Sequence, residues 1–529
     1  MIAAPGHNPG DRRRVLEMAL DHLRHGRFDR AAALCRPLSA ADPHDIDARF
    51  FLGVAEGAQG NADAALDHLN RVIDTRPGHV DARRELARLY QSLGRIGDAD
   101  GQFAAILKRL PRDPQALCDY GRLLLETGRP GEAAQQAEAA LAAAPNFSLA
   151  LNLLGLCAVD QGRLDAAITA FGRAAAADPT NASAQANLAT ALATEGRFDQ
   201  SLAASIAALR LAPEDLTMQI NHAVALLKSG RLVEGWSAYE WRHRKPGREK
   251  LPPALMLPKL GHLGGIQGRT MLIYHEEGFG DTLQFLRYAP MLAEAGARVI
   301  AWMPMELARL VRGQPGIAEV LTGSITLPKF DFHCPIISLA QVFETGPDSI
   351  PAKTPYLAAD PALADAWAAR LPAAPFRVGL AWAGEPRAYD PAALALDRRR
   401  SLNFALLAPL LAIPGATVIS LQTGAAAEQA GGAIFDPMQG VRDFADTAAI
   451  IANLDLMVSV DTAVAHLAGA MGKPVFLLDR YDNCWRWLTG RTDSPWYPTL
   501  TIFRQSRMGE WGPAIERVAE AVRVMAGHA

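Results

Sequence analysis

Small residues recur at matched positions within the apolar stretches of the first 240 residues. Ala19, Gly53, Ala87, Gly121, Gly155, Ala189 and Ala223 form one series, and Ala31, Ala65, Ala99, Ala133, Ala167, Ser201 and Gly235 a second. The larger side chains Phe103, Phe171 and Tyr239 keep the same register. Breakers are equally regular. Gly26, Gly60, Gly94, Gly128, Gly162, Gly196 and Gly230 stand 34 residues apart, and Pro43, Pro77, Pro111, Pro145, Pro179 and Pro213 repeat that step at an offset of 17. Two breakers per period leave room for two helices of about a dozen residues joined by tight turns. The small positions mark where one helix must approach its partner closely, and the aromatic ones fill the gap between successive pairs.

A helix pair every 34 residues is the tetratricopeptide period. The pattern predicts an α-solenoid of about six to seven such repeats over residues 11–245, whose concave surface suits a protein partner. The pattern then changes. Lys245 to Gly265 carries four prolines and reads as a linker over 246–265, pinned to a neighbour by Leu255, Met256, Leu257 and Leu260. The prolines also predict that a fragment starting near Lys250 folds by itself. Beyond Gly268, strand-length apolar runs (TMLIYH, ARVIAWM, FRVGLAWAG, ATVISLQTG, LDLMVSV, PVFLLD) alternate with amphipathic stretches. TLQFLRYAPMLAEAG reads as one helix. Such alternation implies parallel sheets covered on both faces, in two Rossmann-like domains at 266–372 and 375–529 separated by PAAP (Pro372–Pro375).

Composition narrows the function. A net charge of −3 gives no basic field for nucleic acid. The cysteines Cys35, Cys118, Cys157, Cys334 and Cys484 are scattered without metal spacing, as in a reducing compartment. The N-terminus lacks a secretory pattern and no run is long enough to span a membrane, so a cytoplasmic protein is expected. The D-x-D spacing that could hold a divalent cation is missing after residue 245, as are HExxH, a Walker A loop and a G-x-S-x-G elbow. These absences disfavour zinc hydrolase, P-loop ATPase and α/β-hydrolase chemistry, and no metal or cofactor is expected.

Ligands of open α/β sheets sit at the carboxyl ends of the strands, and three turns there carry candidate chemistry. Gly278-Phe279-Gly280-Asp281 follows the first strand; its glycines allow close backbone approach to a ligand. Asp281 reads either as a helix N-cap or as a general base, with Glu276 and Glu277 as neighbouring acids. In SVDTAVAHLAGAMGKPVFLL, Asp461 and Thr462 fall where strand gives way to helix, placed for a phosphate. His466 shares the Thr462 face one turn on and reads as a ligand or as a packed core histidine; Asp461 reads as a holder of the loop. The basic run Arg398-Arg399-Arg400 follows FRVGLAWAG and its loop, and could meet phosphate or simply be a solvated face.

HEEGFGDTLQFLRYAPML, FDFHCPIISL, VGLAWAG with the later RRRSL, DFADTAAIIANLDLMVSVDTAVAHLAGAMGKPV and DSPWYPTLTIFRQ resemble the C-terminal region of bacterial tetratricopeptide-repeat glycosyltransferases. That region is similar to glycosyltransferase family 9, the ADP-heptose:lipopolysaccharide heptosyltransferases, over roughly residues 266–508. The resemblance implies a GT-B fold of two Rossmann-like domains with no metal requirement. It implies Asp281 as base beside the Gly278–Gly280 turn. Thr462, His466, Asp461, Arg399 or Arg400 and Gly384 would stand near the donor diphosphate, with Glu428 and Gln422 near the nucleoside. Ala463 stands where the family has glycine, leaving less room for backbone approach.

With the repeat array, the resemblance implies a metal-independent, inverting glycosyltransferase that moves a sugar from a nucleotide-sugar to a protein acceptor, such as a flagellin, presented by the repeats. The alternatives are a repeat scaffold with an inactive GT-B domain and a lipopolysaccharide heptosyltransferase-like enzyme.

Overall fold

The computed structural model describes residues 9–245, 251–257, 265–324, 326–387 and 391–527. Residues 246–250, 258–264 and with them Leu260, part of the expected linker, lie outside the described residues. Fourteen helices run from Pro9 to Tyr239 among the described residues, two per 34-residue period. Each glycine of the breaker series has φ between 68° and 83°, the left-handed conformation that ends a helix without a Cβ penalty. The small-residue series has a different cause. A Cβ on Gly155 would lie 2.6 Å from Phe171 Cδ1, and one on Gly53 2.8 Å from Leu69 Cγ, so these positions are small because a neighbouring side chain occupies the space.

The chain forms two compact units, Met1–Asn187 and Leu188–Ala529. The second contains the last repeat helices and all the strands. The strands are β1 (Thr270–Tyr274), β2 (Arg298–Trp302), β3 (Glu319–Leu321), β4 (Phe332–Pro335), β5 (Phe376–Ala381), β6 (Ala416–Ser420), β7 (Leu456–Val460), β8 (Val475–Asp479) and β9 (Leu500–Arg504). They make two wholly parallel sheets, ordered β3-β2-β1-β4 and β6-β5-β7-β8-β9. The fold is thus a tetratricopeptide-like helical solenoid followed by an α/β region with parallel sheets. No helix among the described residues is long and apolar enough to cross a membrane.

Three features differ from the sequence reading. The stretch after β1 is two short helices, Phe279–Phe285 and Ala289–Glu294, divided by a 3-10 turn at Leu286–Tyr288, because Pro290 has no N–H to continue the ladder. Arg398–Arg400 end a helix, Pro391–Arg400, that the sequence reading did not place. The repeats end near 245, yet the body they enter begins far earlier. Trp236 is buried edge-on against Phe285, Trp485 and Trp496, and its indole donates to the Thr345 carbonyl at 2.9 Å. Arg242, 1% exposed, bonds Glu276 at 2.9 and 2.7 Å. Lys228 donates to the Asp482 carbonyl at 2.9 Å. A cut at Lys250 would remove all three. Of the linker, Leu257 is buried and its N–H bonds the His333 carbonyl at 2.9 Å, beside a Met256–His333 bridge. That pins the segment to β4 as its apolar residues require.

Candidate functional site

At the carboxyl end of β5 the chain turns through Trp382, Ala383 and Gly384. Gln422, which follows β6, fixes this turn: its oxygen accepts from the Trp382 and Ala383 N–H groups at 2.9 and 2.8 Å, and its amide donates to the Ala383 and Thr423 carbonyls at 3.0 and 2.9 Å. Both ends of Gln422 are therefore engaged by backbone. A Cβ at Gly384 would strike the Arg400 guanidinium and displace it from the turn. Arg400 thus lies against the turn. It bonds the Asp461 carbonyl at 3.2 Å and pairs with Asp397 at 2.8 Å. Burial alone would raise the Asp397 carboxyl, but hydrogen bonding from Arg387 and the charge of Arg400 hold it below the ordinary range. Arg399 points to the rim and meets Asp482 at 3.1 Å.

From β7 the chain passes Asp461 and Thr462 into the helix Ala463–Ala470, with Thr462 as N-cap residue. The Thr462 hydroxyl does not cap; it meets Ser459 Oγ at 3.0 Å. His466 is buried, with Nδ1 2.9 Å from the Tyr497 hydroxyl, Nε2 3.6 Å from Asp461, and its ring stacked on Trp487. Burial by itself would lift Asp461; the His466 ring, then Arg400 and Arg480, outweigh it and keep the carboxyl low. At the end of β8, Asp479 is fully buried and bonds Arg504 at 2.8 Å, and burial still pushes its carboxyl up to about 6. Amid this network, Arg400 Nε and the Trp382 and Trp487 indole N–H groups are buried without a hydrogen-bond partner among the described residues. Asp479 Oδ1 and Asp482 Oδ1 are buried in the same state, so the network holds both donors and acceptors to spare.

Asp281 faces this network from the first sheet. It sits at the third position of its helix, where it accepts the N–H of the N-cap residue Gly278 at 3.0 Å, so it supports the turn without being the N-cap itself. Its other oxygen is ion-paired with Arg486. Arg486 also reaches Gln284 at 2.6 Å and Cys484 Sγ at 2.9 Å, and burial lowers its pKa to about 10. Gly280 is explained by His466, whose Cδ2 would lie 2.8 Å from a Cβ at that position. The two motif turns, 186 residues apart at this contact, are therefore packed on one another. Glu276 is taken by Arg242, and the Ile337 N–H also donates to it at 3.1 Å. Glu428 stands apart, exposed on the 3-10 helix Ala425–Ala430.

Sequence comparison agrees with these two halves. Tetratricopeptide-repeat families match residues 16–80 with 119–182, and 58–117 with 158–215. The N-terminal region is a tetratricopeptide-repeat array. Glycosyltransferase family 9 (heptosyltransferase) matches residues 438–487. That stretch holds Asp461, Thr462, His466 and Arg486; Asp281 and the arginine run lie outside it. Protein FlbA of Caulobacter vibrioides is 27% identical over 325 residues, 55% of this chain and 52% of its own length. The chain thus spans about half of that relative. Solved structures similar to the array include a tetratricopeptide repeat protein from Parabacteroides merdae (15% identity, 45% of this chain and 94% of that one, TM-score 0.36) and Pseudomonas aeruginosa PilF (20%, 38% and 93%, TM-score 0.32).

Sequence reasoning missed Arg486 and Arg242. Arg486 stands between Trp485 and Trp487, and a cation flanked by bulky aromatics in a stretch without period is the signal that could have found it. Arg242 stands likewise between Trp241 and His243, but its partner Glu276 is 34 residues away in a different kind of structure.

Proposed function

We propose that this protein is a metal-independent, inverting glycosyltransferase of GT-B type that moves a sugar from a nucleotide-sugar to a protein acceptor bound by the array. The observation that carries the reading is the partnerless Arg400 Nε beside the start of the helix Ala463–Ala470. Negative charge grows on the departing diphosphate, and a guanidinium with a helix N-terminus can meet it without a cation. Arg399 adds charge at the rim, Thr462 offers backbone N–H groups, and Asp461 and His466 hold the turn. Across the domains, Asp281 takes the proton of the acceptor hydroxyl as its oxygen bonds the anomeric carbon and the bond to diphosphate breaks. Attack from the side opposite the leaving group inverts that carbon.

The Asp281–Arg486 ion pair favours a second reading, a repeat scaffold with a silent transferase fold, unless donor binding draws Arg486 away. Calorimetry decides between them. UDP, ADP or GDP should bind in EDTA, and Arg400→Ala should weaken that binding by about 10–100-fold, the range of one charged hydrogen bond. Absence of binding by every nucleotide, or an absolute need for magnesium, would count against the transferase reading.

A further inference from the structure

One position of the repeat register is used differently where the array ends. Arg24, Ala58, Ser92, Glu126 and Asp160, spaced 34 residues apart, are exposed, and Thr194 is half-buried. The next member of the series, Lys228, is 9% exposed. It ends the helix Leu216–Lys228, and its ammonium donates to the Asp482 carbonyl at 2.9 Å. We propose that Lys228 is a positioning residue of the nucleotide site: by holding the main chain at Asp482 it sets the Asp482 carboxylate, which in turn aims Arg399 at the donor phosphates. This rests on the transferase reading and adds to it a residue of the repeats.

The contacts form two steps. Asp482 Oδ2 accepts from Arg399 Nε and from Arg480 Nη1, both at 3.1 Å. The Asp482 side chain is 13% exposed and that of Arg399 39%, so the guanidinium stands at the rim with its Nε edge committed to the protein. A long cation held in this way has lost rotamer freedom before a ligand arrives, and such preorganisation lowers the cost of binding. Without a fixed main chain at residue 482, the carboxylate and the guanidinium would have to order together when the phosphate enters. The acceptor chosen by Lys228 matters for the same reason. An ammonium on the carboxylate would compete with Arg399, whereas one on the carbonyl fixes the residue and leaves its charge to the arginines.

Burying an ammonium is expensive unless acceptors and charge receive it. Burial pushes the Lys228 pKa down to about 8, and the Asp482 charge opposes that fall, so the lysine is paired with the residue it holds. The neighbouring residue is held as well. The Tyr481 hydroxyl donates to Glu195, at the end of the preceding repeat's first helix, at 3.1 Å, and the Tyr481 N–H donates to Gln505 at 3.1 Å. The repeats therefore supply two of these three holds on Tyr481 and Asp482.

The test uses the full-length chain in EDTA with UDP, ADP and GDP as probes and reads affinity by calorimetry. Lys228→Met keeps the stem and removes the ammonium. It should weaken nucleotide binding by about 2–30-fold, the range for residues that act through others, and Lys228→Arg, which restores a donor, should recover it. Combined with Arg399→Ala, Lys228→Met should weaken binding by less than the product of the two separate losses, because both act on one contact. A lysine that only supports the fold would give the full product. Tyr481→Phe cuts the Glu195 hold without touching Lys228 and should lower affinity in the same direction; it decides the matter if Lys228→Met does not fold. Unchanged or tighter binding in the folded variants, or the full product with Arg399→Ala, overturns the positioning role while the transferase reading stands. Absence of binding by the unmodified chain defeats the transferase reading and the positioning role with it.

Discussion

The two parallel sheets put the same architectural position, the carboxyl ends of their strands, to opposite uses. The first sheet closes a cavity of about 1020 Å³ with prolines and aromatics and pairs Lys245 with Glu277 and Arg242 with Glu276. The second gathers Arg399, Arg400, Arg480 and Arg504 around Asp397, Asp479 and Asp482, with both donors and acceptors left over. The difference lies in the segments that follow each strand, which is where function resides in such folds. The supports differ as well. The first end borrows His243 and Lys245 from beyond the last repeat helix, while the second takes from the repeats the Lys228 bond and a Tyr481 hydroxyl contact with Glu195 at 3.1 Å.

That asymmetry gives the largest expected effect. A fragment starting at Ala182 retains Trp236, Lys228 and Arg242 and should melt cooperatively. One starting at Lys250 strips the guanidinium from buried Glu276, a loss of about 3–5 kcal/mol. It also removes Trp236 from its aromatic nest, about 3–5 kcal/mol more. Together these approach the whole stability of a domain, so no cooperative calorimetric transition is expected. A Lys250 fragment that melts like the longer one would mean the first sheet stands without the array's end.

The same long-range contacts explain what the sequence could and could not reveal. The array was legible because each of its constraints repeats: a left-handed glycine, a close contact, an aromatic filler. Six of the seven strands of five or six residues were legible from their apolar runs. β3 and β4, at three and four residues, are too short to carry a period, and β9 alternates too briefly within an irregular stretch. The site was half legible. Thr462, His466, Asp461 and Arg400 do gather, yet nothing local marks Gln422 as a clasp for the Trp382 turn or Arg486 as the partner of Asp281. Those roles are set by which segments pack together, across 40 and 205 residues.

Asp281→Asn sharpens the comparison at the contact between Asp281 and Arg486. Asparagine keeps an oxygen for the Gly278 N–H but leaves the largely buried Arg486 without its counter-charge, a loss of up to about 3–5 kcal/mol. It cannot take a proton, and general-base catalysis is worth about 10²–10⁴-fold. A folded protein with near-normal nucleotide affinity and turnover reduced at least ~100-fold is expected. Near-normal turnover would reduce Asp281 to a support for its turn and a tether for Arg486.

The smallest effect distinguishes two aspartates of the second sheet by sign. Asp479 has its carboxyl raised to about 6 by burial, against the opposing charge of Arg504. In the native state it therefore holds a proton that the unfolded chain releases near pH 4. The stability it contributes is whole below that value and is lost as pH climbs through about 6. Asp461 is displaced downward, so its contribution is present above its unfolded pKa and is lost as pH falls through the lower folded value. Comparison with Asp479→Asn isolates the first of these, because Asp461 is common to both proteins. The melting temperature of the unmodified chain, relative to the variant, should drop between pH 4 and pH 7 by the equivalent of at most about 3 kcal/mol. A relative rise over that range would mean that Arg504 overcomes burial and holds Asp479 charged, making the second sheet's network a set of fixed ion pairs throughout.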